Sequence, residues 1–350
     1  MTPQPLQERI AQAAAAGRAL RLRGGGTKDF YGGEPRGEVL DVRGYRGIVS
    51  YEPTELVITA RCGTPLAELE AELAGRGQCL PFEPPHFGEG ATFGGCIAAG
   101  LSGPRRAAAG AVRDFVLGAK VIDGRGRLLS FGGQVMKNVA GYDVSRLMAG
   151  SLGTLGLIAE ASLKVLPRPQ HELTLRLELD EERALAAQNA WGAQPLPISA
   201  SAWEAGALTL RLSGAESAVR AAARKLGGSE LQAAAPFWDA VREHRALFFS
   251  GGEPLWRLSV ASTAAPLALP GRQLIEWGGA LRWLKSAAPA AMVREAAKRA
   301  GGHATLFRGG ERSAGAFSPL DAVLLRLHRE LKAAFDPAGI LNPGRLYPEL

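Results

Sequence analysis

The sequence predicts an α+β protein of two domains: a two-part domain of strands joined by glycine loops, then an antiparallel sheet carrying helices on one face. Three observations predict it. A chain of 350 residues exceeds the usual single core. Its 45 glycines run at nearly twice the usual frequency of about 7%. The texture then changes after Pro167-Arg168-Pro169, where glycine loops give way to strands alternating with Ala-rich helices. The expected domains are 1–168 and 169–317, with a C-terminal helix and tail, 318–350, packing back on the first.

Each element has a local reason. Leu6, Ile10, Ala13 and Ala14 recur at helical spacing, and Gly17 stands where a left-handed cap closes that helix. Ala19 to Leu22 reads as a strand running into Arg23-Gly24-Gly25-Gly26-Thr27-Lys28, with further strands at Val39 to Val42 and Leu56 to Ala60. Thr64 is set to cap a helix with Pro65 at its first position and Leu66, Leu69 and Leu73 inward. From Pro81 to Pro104 runs a long stretch with no expected secondary structure, holding Thr92-Phe93-Gly94-Gly95, Ala98, Gly100 and Ser102-Gly103. Loops of that length in compact domains usually bind something.

Val116 to Ile122 and Arg127 to Phe131 flank the turn Asp123-Gly124-Arg125-Gly126 as a hairpin. After the loop Lys137-Asn138-Val139-Ala140-Gly141-Tyr142-Asp143, the run Gly150-Ser151-Leu152-Gly153-Thr154-Leu155-Gly156 leads into a strand. Its apolar residues from Leu157 to Val165 alternate with Glu160, Ser162 and Lys164. In the second domain, strands at Leu173 to Leu179, Leu208 to Leu212, Trp256 to Ala261 and Leu281 to Leu284 alternate with helices near 182–191, 216–226 and 289–300. Ser318 is placed to cap the last helix, whose inward stripe is Leu320, Val323, Leu324, Leu327 and Leu331.

Composition narrows the function. Hydrophobic residues at 46% and charged residues at 21% describe a folded globular chain. The net charge of +7 is scattered, with Arg105-Arg106 its densest cluster, so no nucleic-acid stripe is present. Cys62, Cys79 and Cys96 form no Cys-x-x-Cys pair, which argues against disulfide, zinc and iron–sulfur sites and for reduced thiols in a cytoplasmic chain. The N-terminal residues show no leader pattern, and no apolar run approaches the roughly 18 residues of a membrane span.

The three glycine loops carry the chemistry. Burying a doubly charged diphosphate requires many backbone N–H donors at close range, and glycine permits that approach. A Rossmann site fails, because Gly24-Gly25-Gly26 opens no helix and the third glycine is misplaced; Lys28-Asp29 likewise lacks the P-loop pair.

Residues 1–168 and the tail resemble the FAD-binding fold shared by vanillyl-alcohol oxidase and p-cresol methylhydroxylase relatives. The resemblance casts Arg23, Gly24, Gly25, Gly26, Thr27 and Lys28 as the first pyrophosphate loop. Thr92, Gly94, Gly95, Ala98, Gly100, Ser102 and Gly103 are similar to the second flavin loop. Gly150, Gly153, Thr154 and Gly156, with Ile158, resemble the strand entry beside the adenine end, and Asn342 and Gly344 the terminal turn near the isoalloxazine. Covalent members present a His in the first loop; Gly26, Thr27 and Lys28 stand there instead, so the FAD implied is non-covalent.

More narrowly, the short second domain, the 137–143 loop and the length resemble the family of smaller FAD-binding subunits of bacterial glycolate oxidases. That resemblance implies oxidation of a small 2-hydroxy acid, glycolate, to glyoxylate. It also implies two partners, a larger FAD-containing subunit and an iron–sulfur subunit, which pass electrons onward and hold the chain at the inner face of the membrane. The His-Gly-His-x-Gly-Asp-Gly-Asn type of motif in larger relatives is missing, and His86, His171, His244, His303 and His328 are isolated, so no metal site and no catalytic residue is assigned. Two other readings therefore stay open: a non-catalytic electron-relay or assembly subunit that binds FAD, and a stand-alone FAD-dependent oxidase of another small alcohol. His303 and Arg308 flank an expected strand and are the candidate substrate contacts, since Arg grips a carboxylate bidentately.

Overall fold

Helix α1 (Gln4–Ala15) buries Ile10 and Ala13, and Gly17 turns the chain with a φ of +61° into strand β1 (Leu20–Arg23). β1 pairs in parallel with β2 (Glu38–Asp41), so the glycine loop between them is a crossover and not a hairpin turn. The computed structural model describes residues 2–133 and 143–350; the expected loop from Lys137 to Tyr142 lies outside the described residues. The chain divides into two units, one of Met1–Leu101, Ala111–Pro167 and Pro319–Leu350, the other of Ser102–Gly110 and Arg168–Ser318.

In the first unit a five-stranded antiparallel sheet runs in the order β3 (Ile48–Glu52), β4 (Val57–Arg61), Leu157–Lys164, Val116–Ile122 and Leu128–Gly132. The central strand Leu157–Lys164 is buried on both faces up to Leu163, so its polar residues need partners inside. Glu160 accepts from Tyr45 Oη at 2.7 Å and pairs with Lys120 at 2.8 Å, and Ser162 Oγ meets Thr59 Oγ1 at 2.7 Å. The expected one-sided alternation is thus replaced by a two-sided core. The tail closes this unit: Leu20 N donates to Ile340 O and Asn342 N donates to Leu20 O, which adds a short stretch of chain to the free edge of β1.

Several elements differ from expectation. The stretch 81–104 contains helix α3 (Phe93–Ala99), capped by Thr92 Oγ1 accepting from Gly95 N and closed by Gly100 at a φ of +67°. The helix buries Phe93, Gly94, Cys96, Ile97 and Ala99, so it shows no amphipathic period. Thr64 does not cap α2 (Leu66–Gly75); its hydroxyl bridges the N–H and C=O of Gly47 instead. Ser318 binds both backbone groups of Ala304, and Asp321 caps the final helix, Ala322–Phe335, by accepting from Val323 N and Leu324 N. The stripe expected to be buried on that helix faces outward, with Val323 60%, Leu324 44% and Leu327 45% exposed. Lys332 is its buried residue.

The second unit is an eight-stranded antiparallel sheet with strand order 229–230, 171–178, 207–214, 198–204, 272–276, 281–285, 255–259 and 303–308. Val219 and Ala222 of helix Glu216–Leu226 pack on Leu173, Leu175 and Leu212, and Val293 and Ala297 of Ala290–Arg299 pack on Trp256, Leu258 and Leu306. The strands Ile198–Glu204 and Arg272–Glu276 and the helix Ala234–Arg242 join those expected.

Candidate functional site

The tail's pairing with β1 leaves a row of amides open at the end of that strand. After Leu20 has bonded Ile340, the next amide on that edge, Leu22 N, donates to Asn342 Oδ1 at 2.7 Å. Beyond it the protein supplies nothing further: among the described residues the amides of Gly24, Gly25, Gly26 and Thr27 donate to no protein acceptor. Consecutive open amides of this kind form an anion-binding concavity.

These amides line a cleft of about 600 Å³ that also takes in Thr92, Gly95 and Ala98 from the α3 region, Leu152, and Asn342 and Arg345 from the tail. Its wall carries four cationic side chains, Arg21, Arg23, Lys28 and Arg345, against the single carboxylate of Asp29. Asp29 is divided between Arg21 at 2.5 Å and Arg23 at 3.1 Å. Arg21 Nε is buried without a hydrogen-bond partner among the described residues, and Arg345 braces the loop by donating to the carbonyls of Asp29, Tyr31 and Gly33. The end of the cleft is therefore electropositive.

A second cavity, of about 400 Å³, shares Leu22, Arg23, Gly24, Gly95, Ala98, Leu152 and Asn342 with the first and continues it. Its other walls are Val42, Cys62, Gly94, Gly153, Gly156, Leu157 and Ile158. Burial pushes the Cys62 thiol up to about 12, so it stays neutral and counts as part of an apolar wall. The two cavities form one groove, charged and amide-lined at one end and apolar at the other, which is the division a dinucleotide with a diphosphate and flat rings requires.

The three loops contribute unequally. Gly24 stands against the α3 cap, where an added Cβ would lie 2.3 Å from Thr92 Oγ1, and a Cβ on Gly153 would lie 2.7 Å from Asn342 Nδ2. The amides of Phe93, Gly94 and Gly95 are taken by Thr64 O, Cys62 O and Thr92 Oγ1, so the second loop supplies wall and not donors. The third is tied to α3 through Gly150 N to Ile97 O and Leu152 N to Ala98 O.

Gly100, Ser102, Gly103, Gly150, Thr154 and Gly344 do not line the groove. Gly100 closes α3, Ser102 and Gly103 belong to the second unit, and Gly103 O accepts from Trp277 Nε1 at 3.1 Å. Gly150 is spent holding α3, Thr154 donates to Ser151 O, and Gly344 N donates to Leu350 O. His303 and Arg308 occupy opposite ends of one strand, roughly 16 Å apart at about 3.3 Å per residue, so one small acid does not touch both. Sequence reasoning missed Arg21, Asp29, Leu152 and Arg345; the Arg345 side chain, following the Asn-Pro-Gly turn, was the one signal within reach. Among the described residues no group of three or more His, Cys, Asp or Glu is placed to hold a metal, and no helix is long and apolar enough to cross a membrane.

The fold and the groove define a flavoprotein of the FAD-linked oxidase class: residues 2–132 match the FAD binding domain family, and residues 318–346 the C-terminal domain of FAD linked oxidases. The fold is similar to that of alkyldihydroxyacetonephosphate synthase, with a TM-score of 0.64 and 16% identity over 96% of this chain and 73% of that one. Over 347 residues, 99% of this chain and 98% of the relative, it is 53% identical to glycolate oxidase subunit GlcE of Escherichia coli (strain K12), and it belongs to that family. It is also 34% identical to glycolate oxidase subunit GlcD of Bacillus subtilis over 168 residues, 47% of this chain and 35% of that one. A D-lactate dehydrogenase of Anaerostipes hadrus is 33% identical over 140 residues, 40% of this chain and 29% of that one.

Proposed function

We propose that this chain is the FAD-binding subunit of a complex that oxidises glycolate to glyoxylate and passes the electrons to its partners, a larger FAD-containing subunit and an iron–sulfur subunit. The observation that carries the FAD assignment is the groove, cationic and amide-lined beside an apolar continuation. The assignment of substrate and assembly rests on the end-to-end likeness to the Escherichia coli subunit. The outward apolar stripe of the final helix supports a chain that works in an assembly.

When bound, FAD supplies the two-electron acceptor for the hydroxy acid. The chain's own residues bind and orient it. The amides of Gly24 to Thr27 would take the diphosphate oxygens, and Arg21, Arg23, Lys28 and Arg345 would balance their charge. Leu22, Val42, Cys62, Leu157 and Ile158 would form the apolar wall that keeps water from the cofactor's rings, and Asn342, bonded to Leu22 N and Leu152 O, fixes the spacing between the loops.

The test is purification of the chain alone and with its two partners. Visible flavin absorbance, with FAD and not FMN released by acid, is expected of the chain alone, and glycolate-dependent dye reduction of the assembled complex. A colourless chain overturns the FAD assignment. A complex inert toward glycolate but active with another 2-hydroxy acid overturns the substrate.

The first loop gives a sharper prediction. A Cβ on Gly25 would lie 1.5 Å from Gly90 O, a backbone atom that does not yield. Gly25→Ala is expected to displace the open amides, to destabilise by about 1–3 kcal/mol and to leave the chain without flavin. Gly75→Ala, with nothing near its Cβ, is expected to retain full loading. Flavin-to-protein absorbance ratios of the purified variants decide it.

A further inference from the structure

Strands Leu255–Ser259 and His303–Arg308 pair antiparallel at one edge of the second unit's sheet, with Arg257 opposite Thr305 and Ser259 opposite His303. On one face Trp256, Leu258, Ala304 and Leu306 pack with Val293 and Ala297 of the helix Ala290–Arg299. The alternation of side chains along a strand puts Arg257, Ser259 and His303 together on the other face, at Cβ spacings of about 5–8 Å. All three reach solvent: Arg257 and Ser259 are half-buried, and His303 is exposed.

Arg257 is held in place without being neutralised. Its guanidinium lies 5.3 Å from the centre of the Trp277 ring, and that of Arg106 lies 4.4 Å from the same centre. Trp277 is itself fixed, 5% exposed, with Nε1 donating to Gly103 O at 3.1 Å and a φ of +55° that a bulky residue adopts only where its surroundings compel it. Two like charges are thereby drawn to one indole. Among the described residues Arg257 pairs with no carboxylate and donates to no acceptor, and Ser259 and His303 make no side-chain hydrogen bond. Glu276, on the same sheet face, is already engaged by Trp283 Nε1 at 2.7 Å. Partial burial, and after it the Arg257 charge, hold the His303 imidazole below the usual histidine range, so at neutral pH the ring is uncharged and keeps one nitrogen as an acceptor. The patch thus presents a guanidinium fork, a hydroxyl and an imidazole acceptor, with positive charge and no acid to offset it.

We propose that this patch binds a small 2-hydroxy acid: Arg257 and Ser259 donate to its carboxylate, and His303 accepts from the hydroxyl on carbon 2. The choice of glycolate as that acid rests on the function proposed above. The patch adds that this chain, and not its larger partner alone, holds the acid.

The experiment is ligand-observed saturation-transfer NMR of the FAD-loaded chain at physiological salt, titrated with glycolate and with acetate. Glycolate is expected to bind saturably, roughly threefold tighter than acetate, which lacks the hydroxyl. Arg257→Met retains an apolar stem beside Trp277 and is expected to weaken both acids by at least about tenfold. His303→Leu is expected to bring glycolate down to the affinity of acetate. Arg272→Met, which removes an arginine already paired with Glu253, is expected to bind both acids as wild type does. Flavin content and far-ultraviolet circular dichroism check that each variant is folded, and the His303→Leu comparison decides the matter should Arg257→Met fail to fold. Oxidation of glycolate by the assembled complex is a separate measurement, so loss of the proposed reaction and loss of this binding site are read independently. Wild-type protein that does not bind glycolate, binding unchanged in Arg257→Met, equal loss in Arg272→Met, or a preference over acetate that survives in His303→Leu overturns the proposal.

Discussion

Asn342→Leu is expected to yield a chain that folds with reduced stability and purifies without flavin. Asn342 is 6% exposed and lines both cavities of the groove. Its Oδ1 accepts from Leu22 N at 2.7 Å, and its Nδ2 donates to Leu152 O at 2.6 Å. One side chain thus joins the end of β1 to the third glycine loop. Leucine has nearly the same size and offers neither bond, leaving two backbone groups unmet at about 1–3 kcal/mol each. The backbone adds to the loss, since Asn342 sits at a φ of +43°, where Asn is tolerated and Leu is strained. A total of roughly 2–6 kcal/mol, spent on the residue that sets the groove's width, is expected to weaken FAD by at least about 100-fold. Asn342→Asp separates the two roles: it retains the acceptor for Leu22 N, loses the donor to Leu152 O and adds a negative charge at the groove. It is expected to lose flavin with a smaller fall in melting temperature. Full flavin loading of both variants would remove Asn342 from the site.

The groove was legible in the sequence where local chemistry dictates it. Gly24, Gly25 and Gly26 between two strands announce a backbone that something must approach closely, and Gly153 and Gly156 before a strand do the same. What stayed hidden depends on distant partners. Arg21 and Arg345 reach the same loop from positions more than 300 residues apart; Arg21 carries no local sign of it, and Arg345 only its place after the Asn-Pro-Gly turn. α3 escaped because five of its residues are buried and the two that face the groove, Gly95 and Ala98, are small and uncharged, so no polar face marks the period by which a helix is read. The opposite held for the helix Ala322–Phe335, whose period is clear. A stripe of Val323, Leu324 and Leu327 states that one face is apolar and not what covers it. Thr64 and Ser318 show the same limit at helix starts: each hydroxyl was competed away by a backbone group from another segment, Gly47 and Ala304.

Lys332→Met is expected to be the most destabilising substitution outside the groove. Lys332 is 7% exposed, and its three protons meet three acceptors: Asp336 Oδ2 at 2.7 Å, Thr154 O at 2.8 Å and Leu341 O at 2.7 Å. Asp336 Oδ2 in turn accepts from Leu341 N at 2.7 Å. The pair therefore pins the residue before Asn342 and the loop that contains Leu152 to the end of one helix. Methionine fills the same space and leaves the Asp336 carboxylate buried without its counter-charge, a loss of about 3–5 kcal/mol. Removing both charges in Lys332→Met/Asp336→Leu is expected to cost less than the two single changes together, because no unpaired ion remains. A charge-specific readout follows from burial, which holds the Lys332 ammonium below the usual lysine range against the opposing pull of Asp336. Between that lowered pKa and the ordinary lysine value the unfolded chain binds more protons than the folded one, so wild-type stability rises with pH across the window. Lys332→Met is expected to flatten that rise. Denaturant titrations of the FAD-loaded proteins through the alkaline range measure both effects. A single variant as stable as wild type, or a double variant equal to the sum of its parts, would show that the buried pair does not hold the tail.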